Sequence, residues 1–487
     1  MLFASAEYLF VFLPLVVVAT AAAVRLGGAR AAMAVLIAAS LVFYGWHDPA
    51  MVALLLAGMA VNYALGVRLA AAPSRGLLAL GIALDLAVLG WFKYMGFFAG
   101  IVAGLGGQKV EVSAVALPLA ISFLVFQQIA WLVDCRAGRA VRLSPLDFGL
   151  FVAFFPQLLA GPIVRAGETP PQFAAPGAFR IDRRDLGVGV ALLALGLFKK
   201  VGLADGLAPL ADSVFQASGR VGAVDAWGGA LAYTLQIYFD FSGLSDMAIG
   251  SARLVGIRLP ANFLSPYRAT SISEFWQRWH VSLSRFLRDY LYISLGGNRR
   301  GQVRHVSALV TTMMLGGLWH GAGWTFVTWG ALHGVYLAVY HFWRRTAGKR
   351  LAASGLRSAL SCLLTVVAVA VAWVFFRAAS FTEASGVLAG MAGLRGLEGL
   401  APPLLDGHAL AWIGGLLAAV WVLPNSLQWL ADLGPCLPSP QLPAAATPRP
   451  FWRQAVFLPA VAVWGAVALL IVLHRGANTA PFLYMVF

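Results

Sequence analysis

The residues with most chemical potential sit where polarity is expensive. Val306–His341 is apolar for longer than one membrane crossing, and its interruption is Gly316-Gly317-Leu318-Trp319-His320-Gly321-Ala322-Gly323-Trp324. Polar groups inside apolar runs are functional candidates by default. An imidazole titrating near ~6.5 can accept a proton around neutral pH, so His320 suits a general base. A structural histidine bonding a backbone carbonyl is the competing reading, and the residues leave both open. The glycines either break the helix or let neighbours approach, although Gly317-x-x-x-Gly321 alone is a weak packing motif. Trp319 and Trp324 flank the ring and could exclude water.

His280 is the second candidate, in Phe275-Trp276-Gln277-Arg278-Trp279-His280-Val281-Ser282-Leu283-Ser284. A lone interfacial histidine is more often a satisfied surface residue; His305, His333 and His341 read as structural. The third is Tyr238-Phe239-Asp240-Phe241-Ser242-Gly243-Leu244-Ser245-Asp246, with two carboxylates in one apolar segment. Bonding the backbone of a broken helix, or pairing with arginines, is favoured there over catalysis. H-E-x-x-H, G-x-S-x-G and P-loop motifs are missing. Cys135, Cys362 and Cys436 lie far apart and form no C-x-x-C pair, so they read as packing residues and no metal site is legible. What remains is proton abstraction from a hydroxyl and attack on an activated acyl group.

The elements that must position these residues follow from composition. Of 487 residues, 60% are hydrophobic and 11% charged, against ~25% charged in soluble chains. So little charge cannot coat a soluble protein of this length, which excludes a cytosolic enzyme, a secreted domain and a disordered chain. The expected fold is an all-α, polytopic integral membrane protein. The net charge of +15 reads as cytoplasmic loop charge and lipid headgroup contact, with no nucleic acid partner.

A spanning helix needs ~20 apolar residues. Such runs lie near 8–24, 31–46, 50–67, 77–98, 113–133, 147–163, 185–203, 226–250, 306–319, 322–343, 358–376, 408–424 and 454–473. The estimate is about 11–13 membrane segments, some re-entrant. Arg25 is the first basic residue and follows the first run, so the N-terminus is expected outside and the run is not a cleaved signal. Arginines on both flanks of 147–163, with Pro156 and Gly161-Pro162 within it, predict a segment that returns on the side it entered. Residues 251–304 hold nine arginines and only Glu274 and Asp289 as acids, a cytoplasmic arm. Ser271-Ile-Ser-Glu274 reads as a capping box, and Phe275, Trp276, Trp279, Leu283, Phe286, Leu287, Tyr290 and Leu291 recur at helical spacing. One interfacial amphipathic helix ending at Gly296-Gly297-Asn298 is expected. The proline-rich stretch 434–450 reads as a loop. No internal repeat is visible, which weakens a transporter or channel reading.

In order along nearly the whole chain, Phe43-Tyr44-Gly45-Trp46, Phe92-Lys93-Tyr94, Leu117–Phe123, Pro156–Ile163, the Tyr238–Asp246 and Phe275–Ser284 blocks, Leu318-Trp319-His320-Gly321, Trp373–Arg377 and Pro481–Tyr484 resemble the membrane-bound O-acyltransferases. The similarity is to their bacterial alginate O-acetyltransferase branch, with a less aromatic C-terminal end than that branch suggests. The resemblance implies a single domain over 1–487, a ring of tilted helices around a central tunnel, and a multi-pass protein of the bacterial inner membrane. It makes His320 the catalytic base and His280 a second functional histidine that seats the donor. Arg278, Arg299, Arg300, Asp240, Asp246 and Trp319 are candidate substrate- or donor-binding residues. The resemblance implies no bound cofactor; an acyl thioester, acetyl-CoA or an acyl carrier, would be co-substrate. The implied partners are membrane lipid, an extracytoplasmic polysaccharide such as alginate and a periplasmic acetyltransferase. Teichoic-acid D-alanylation and peptidoglycan O-acetylation are the alternatives within the resemblance.

Overall fold

The computed structural model describes residues 1–106, 117–140, 142–159, 161–299, 301–346, 355–397 and 403–439, with Gly465 and Leu483. Every regular element among them is a helix. Five helices are long and apolar enough to cross a membrane: Glu7–Tyr44, Ala50–Ala71, Arg75–Leu105, Arg183–Gln216 and Gly355–Arg377. Ala223–Arg253, Gln302–His320 and Trp324–Thr346 coincide with three further apolar runs, and Gly407–Val422 is a shorter apolar helix. The chain is an all-α, multi-pass membrane protein. The expected segment near 454–473 lies outside the described residues apart from Gly465, as do 440–450 of the expected loop and the C-terminal motif apart from Leu483.

The backbone departs from straight helices where the sequence supplies a reason. The runs near 8–24 and 31–46 join in one 38-residue helix, broken at Gly28, whose φ of 71° and ψ of −163° are non-helical. Only glycine takes up such a conformation without a Cβ clash.

The chain divides into two compact units. The first comprises Met1–Leu197, Leu244–Ala261 and the described residues of Leu430–Val486. In it, the stretch expected to be re-entrant forms helices Pro145–Ala153 and Phe155–Leu158. Nine residues rise only about 14 Å, well short of a ~30 Å core. Residues 148–159 are buried, and side chains satisfy the backbone at the break. The Phe155 N–H donates to Ser40 Oγ at 3.0 Å, and Gln127 Nε2 donates to the Phe151 carbonyl at 3.0 Å. Broken backbone at membrane depth is tolerable only with such internal partners. Phe3, Tyr8, Phe12, Phe43 and Phe155 form an aromatic cluster beside it.

The second unit comprises Phe198–Gly243 and Asn262–Trp429. Its main feature is an antiparallel hairpin of Gln302–His320 and Trp324–Thr346. A Cβ on Gly317 would fall on the Phe326 carbonyl oxygen, one on Gly330 on that of Met313, and one on Gly334 2.7 Å from Val310 Cα. The missing side chains let the two backbones touch, as small residues do between membrane helices.

The single amphipathic helix expected from Ser271 to Gly296 is instead three pieces: Ile272–Arg278, Val281–Phe286 and the π-helical Leu287–Tyr292. Only half of the expected capping box forms. Ser271 accepts the Glu274 N–H, while the Glu274 carboxylate turns to the Thr270 N–H and hydroxyl. Phe275, Trp276, Trp279, Leu283, Phe286 and Leu287 are buried as their spacing requires, whereas Tyr290 and Leu291 are half-buried. Gly296 and Gly297 end the segment with positive φ.

Candidate functional site

His320 is the last residue of its helix, and Gly321 leaves helical geometry at φ −154°, ψ 143°. The short Gly321–Gly323 connection holds the imidazole at the closed end of the hairpin. The side chain is nearly buried, at 6% exposed. Its ring meets Trp319, Trp329 and Phe376 edge-on, with centroids 4.9, 5.2 and 5.3 Å away. Trp329 stacks on Trp373 at 5.5 Å, and Trp373 packs against Trp279 at 5.0 Å. Trp319, expected to exclude water, is buried; Trp324, expected to do the same, is 56% exposed. His333, read as structural, lies in the same aromatic group, 5.0 Å from Trp329, with Trp276 Nε1 donating to its Nδ1 at 3.3 Å.

His280 stands at the break between the two short helices, with φ 41° and ψ 56°. This left-handed geometry is uncommon for a non-glycine residue, and such conformations gather at functional sites. Expected near the surface, His280 is fully buried. The break turns the ring inward, which a continuous helix could not do. Phe241 meets it edge-on at 4.7 Å and Phe263 stacks on it at 6.4 Å. Asn262 organises the turn: its carbonyl accepts the Val281 N–H at 3.0 Å, and its Oδ1 accepts Ser282 Oγ at 2.9 Å. His280 Nδ1 lies 3.0 Å from that same Oδ1. Facing an acceptor, Nδ1 carries the proton and Nε2 keeps its lone pair. Burial pushes the imidazolium pKa down to about 3, so the ring is neutral at physiological pH.

The carboxylates separate. Asp240 is 2% exposed and paired to Lys200 Nζ at 2.7 Å, and Lys200 also reaches Asp205 at 2.9 Å. Lys200 sits in the π-helical stretch Phe198–Ala204 of the membrane helix. Sequence reasoning missed this cation, although Lys199-Lys200 inside an apolar run was the signal. Asp246 is buried too, and belongs to the first unit. Arg278 is engaged within the protein: Nη2 pairs with Glu274 at 2.7 Å and Nη1 donates to the Leu264 carbonyl at 3.3 Å. Arg299 is exposed beyond Gly296-Gly297, and Arg300 lies outside the described residues. Among the described residues, no group of three or more His, Cys, Asp or Glu could hold a metal ion.

Aromatic burial of a histidine at the end of a membrane hairpin fits several chemistries, and similarity to known proteins narrows them. The family model described as "MBOAT, membrane-bound O-acyltransferase family" matches residues 108–382, a stretch that contains both histidines. The chain belongs to the membrane-bound O-acyltransferase family. It is 43% identical over 401 residues to a "Probable alginate O-acetylase" of Azotobacter vinelandii, covering 80% of this chain and 78% of that one. It is 39% identical over 392 residues to a "Peptidoglycan O-acetyltransferase" of Helicobacter pylori, covering 74% of each. A "Teichoic acid D-alanyltransferase" of Streptococcus thermophilus is 30% identical over 243 residues, covering 47% of this chain and 57% of that one. As a membrane-bound O-acyltransferase, the chain is an enzyme that uses an acyl donor.

Proposed function

We propose that this enzyme moves an acetyl group from a cytoplasmic thioester, acetyl-CoA or an acyl carrier, toward hydroxyls of an extracytoplasmic polysaccharide such as alginate. It does so in the bacterial inner membrane, directly or through a periplasmic acetyltransferase. In this reading His320 is the base. It takes the proton of the attacking hydroxyl, the oxygen adds to the thioester carbonyl, the C–S bond breaks, and the departing sulfur receives a proton from the imidazolium. The products are an ester and a free thiol. His280, with Nε2 as acceptor, seats the donor or its thiol. The N-terminus faces out, the 251–304 arm lies in the cytoplasm, and Arg299 and Arg300 attract the acidic donor.

The observation that carries the reading is the setting of His320: a nearly buried imidazole at a hairpin end, between Trp319, Trp329 and Phe376. Acetyl is favoured over D-alanyl because the alginate and peptidoglycan O-acetylating relatives align over most of the chain and the D-alanyltransferase over about half. The test is chemical analysis of acetyl esters on the polysaccharides of cells with and without this chain. Loss of O-acetyl groups is expected; an unchanged acetyl content with loss of D-alanyl esters points to the alternative donor group.

A further inference from the structure

The first unit holds a cavity that acyl transfer does not use. Helices Ala50–Ala71, Arg75–Leu89 and Ile121–Arg136 border about 430 Å³, with Leu54, Leu84 and Val125 among its apolar walls. Val61, Leu84 and Trp91 line it and are 46%, 44% and 55% exposed, so it opens on the apolar flank of two membrane-spanning helices. Volumes of roughly 300–1,000 Å³ with mostly apolar walls and a few polar groups characterise ligand sites.

The polar group that a ligand meets there is the Gln128 amide. Asn62 Nδ2 lies 2.8 Å from Asp85 Oδ1, 2.9 Å from Gln128 Oε1 and 3.1 Å from the Gly58 carbonyl. The Gly58 carbonyl can only accept, so Asn62 must present its nitrogen to this group. That nitrogen in turn fixes Gln128 with its oxygen toward Asn62 and its Nε2 turned away. Gln128 is 5% exposed, and its Nε2 donates to none of the described residues. A buried donor without an acceptor is uncommon and costly. Gly58 keeps the place beside the amide open, since a Cβ there would stand 3.5 Å from Nε2. Asp85 Oδ2 and Asn62 Oδ1 are buried and offer a ligand no surface. No lysine or arginine lines the cavity, so an anionic head would enter without compensation.

We infer that this cavity binds an alkyl chain carrying a neutral carbonyl, such as a fatty ester, which accepts a hydrogen bond from Gln128 Nε2 while the chain lies along the apolar walls. The chemistry follows from two features: the open polar group is a donor, and the lining holds no cation. The site is independent of His320, and its test reads binding alone.

The experiment uses the full chain in nanodiscs of diether phosphatidylcholine, a lipid without carbonyls. Photoreactive diazirine derivatives of methyl octanoate, nonane and octanoate are irradiated with it at neutral pH, and labelled peptides are mapped by mass spectrometry. The methyl ester should label 54–61, 84–92 and 121–128 saturably, at about fivefold lower concentration than nonane, the advantage of one hydrogen bond between neutral groups. Gln128→Met removes the donor and leaves Asn62 two protons for two acceptors, Asp85 Oδ1 and the Gly58 carbonyl. This variant should fold normally and lose the fivefold advantage. Val61→Trp, at an exposed position on the mouth, should weaken labelling by the ester without touching the amide. Competition by diester phosphatidylcholine identifies a glycerolipid as the occupant, and lack of competition a free ester. Equal saturation by nonane, or tighter labelling by octanoate, would overturn the inference. So would an ester preference that survives Gln128→Met in protein of normal melting temperature, or labelling that survives Val61→Trp.

Discussion

The two buried histidines of the second unit are held by different physics. His280 is fixed by polar contacts: Asn262 and Ser282 define its tautomer, and a left-handed backbone aims its ring. His320 is framed by rings and by a hairpin whose glycines bring two backbones together. The first arrangement suits an orienting group whose protonation state never changes. The second leaves an imidazole beside a loop end, in a wall of aromatic rings, the setting the proposal assigns to the base. In the proposed mechanism His280 orients the donor and His320 carries the proton.

The comparison can be broken from the His280 side first. Asp240 precedes Phe241, the ring that packs on His280, and Lys200 neutralises it. Lys200→Met leaves Asp240 buried and Asp205 half-buried without this cation, which should destabilise the protein by about 3–5 kcal/mol. Thermal unfolding in detergent checks this, and Lys200→Met combined with Asp240→Asn should recover part of the loss.

From the His320 side, Gly330→Ala puts a Cβ against the Met313 carbonyl and forces the hairpin apart. Overpacking of this kind costs about 1–3 kcal/mol. Activity per folded molecule should fall as well, because Trp329 beside it forms part of the His320 wall. A variant with unchanged activity and melting temperature contradicts the assignment of that wall to hairpin packing.

The smallest effect is a pH slope. His280 has a folded pKa of about 3, below the ordinary ~6.5. Above ~6.5 the ring is neutral folded and unfolded, and contributes no pH dependence. Below it, the unfolded chain binds a proton that the folded chain refuses, so stability falls as pH falls toward about 3. The slope is about 1.4 kcal/mol per pH unit. Subtracting the stability profile of His280→Phe from that of the wild type isolates it; equal slopes mean that His280 is not buried.

Much of this was legible in the sequence, and the exceptions have physical causes. Long apolar runs become helices because the bilayer demands internal hydrogen bonding over a fixed length, and the break at Gly28 falls between Arg25 and Arg30, where the runs separate. The break at His280 was hidden. Phe275, Trp276, Trp279 and Leu283 keep helical spacing through it, while its cause, Asn262, lies far back in the chain. His320 stood out as a polar residue in an apolar run, but Phe376 in its wall arrives from a distant helix that periodicity cannot pair with it. Lys200 is an equally visible intrusion into an apolar run, but it belongs to no motif and its partner Asp240 lies forty residues on.

The central claim is that His320 takes the acceptor proton. Its most direct test is His320→Gln, measured as polysaccharide acetyl ester relative to the amount of membrane-inserted protein. Glutamine fills similar space but cannot take a proton, so ester formation should fall by roughly 10²–10⁴-fold, about 3–5 kcal/mol of barrier, at normal protein levels. Normal acetylation by a normally inserted His320→Gln protein would contradict the account and leave His320 a packing residue of the hairpin.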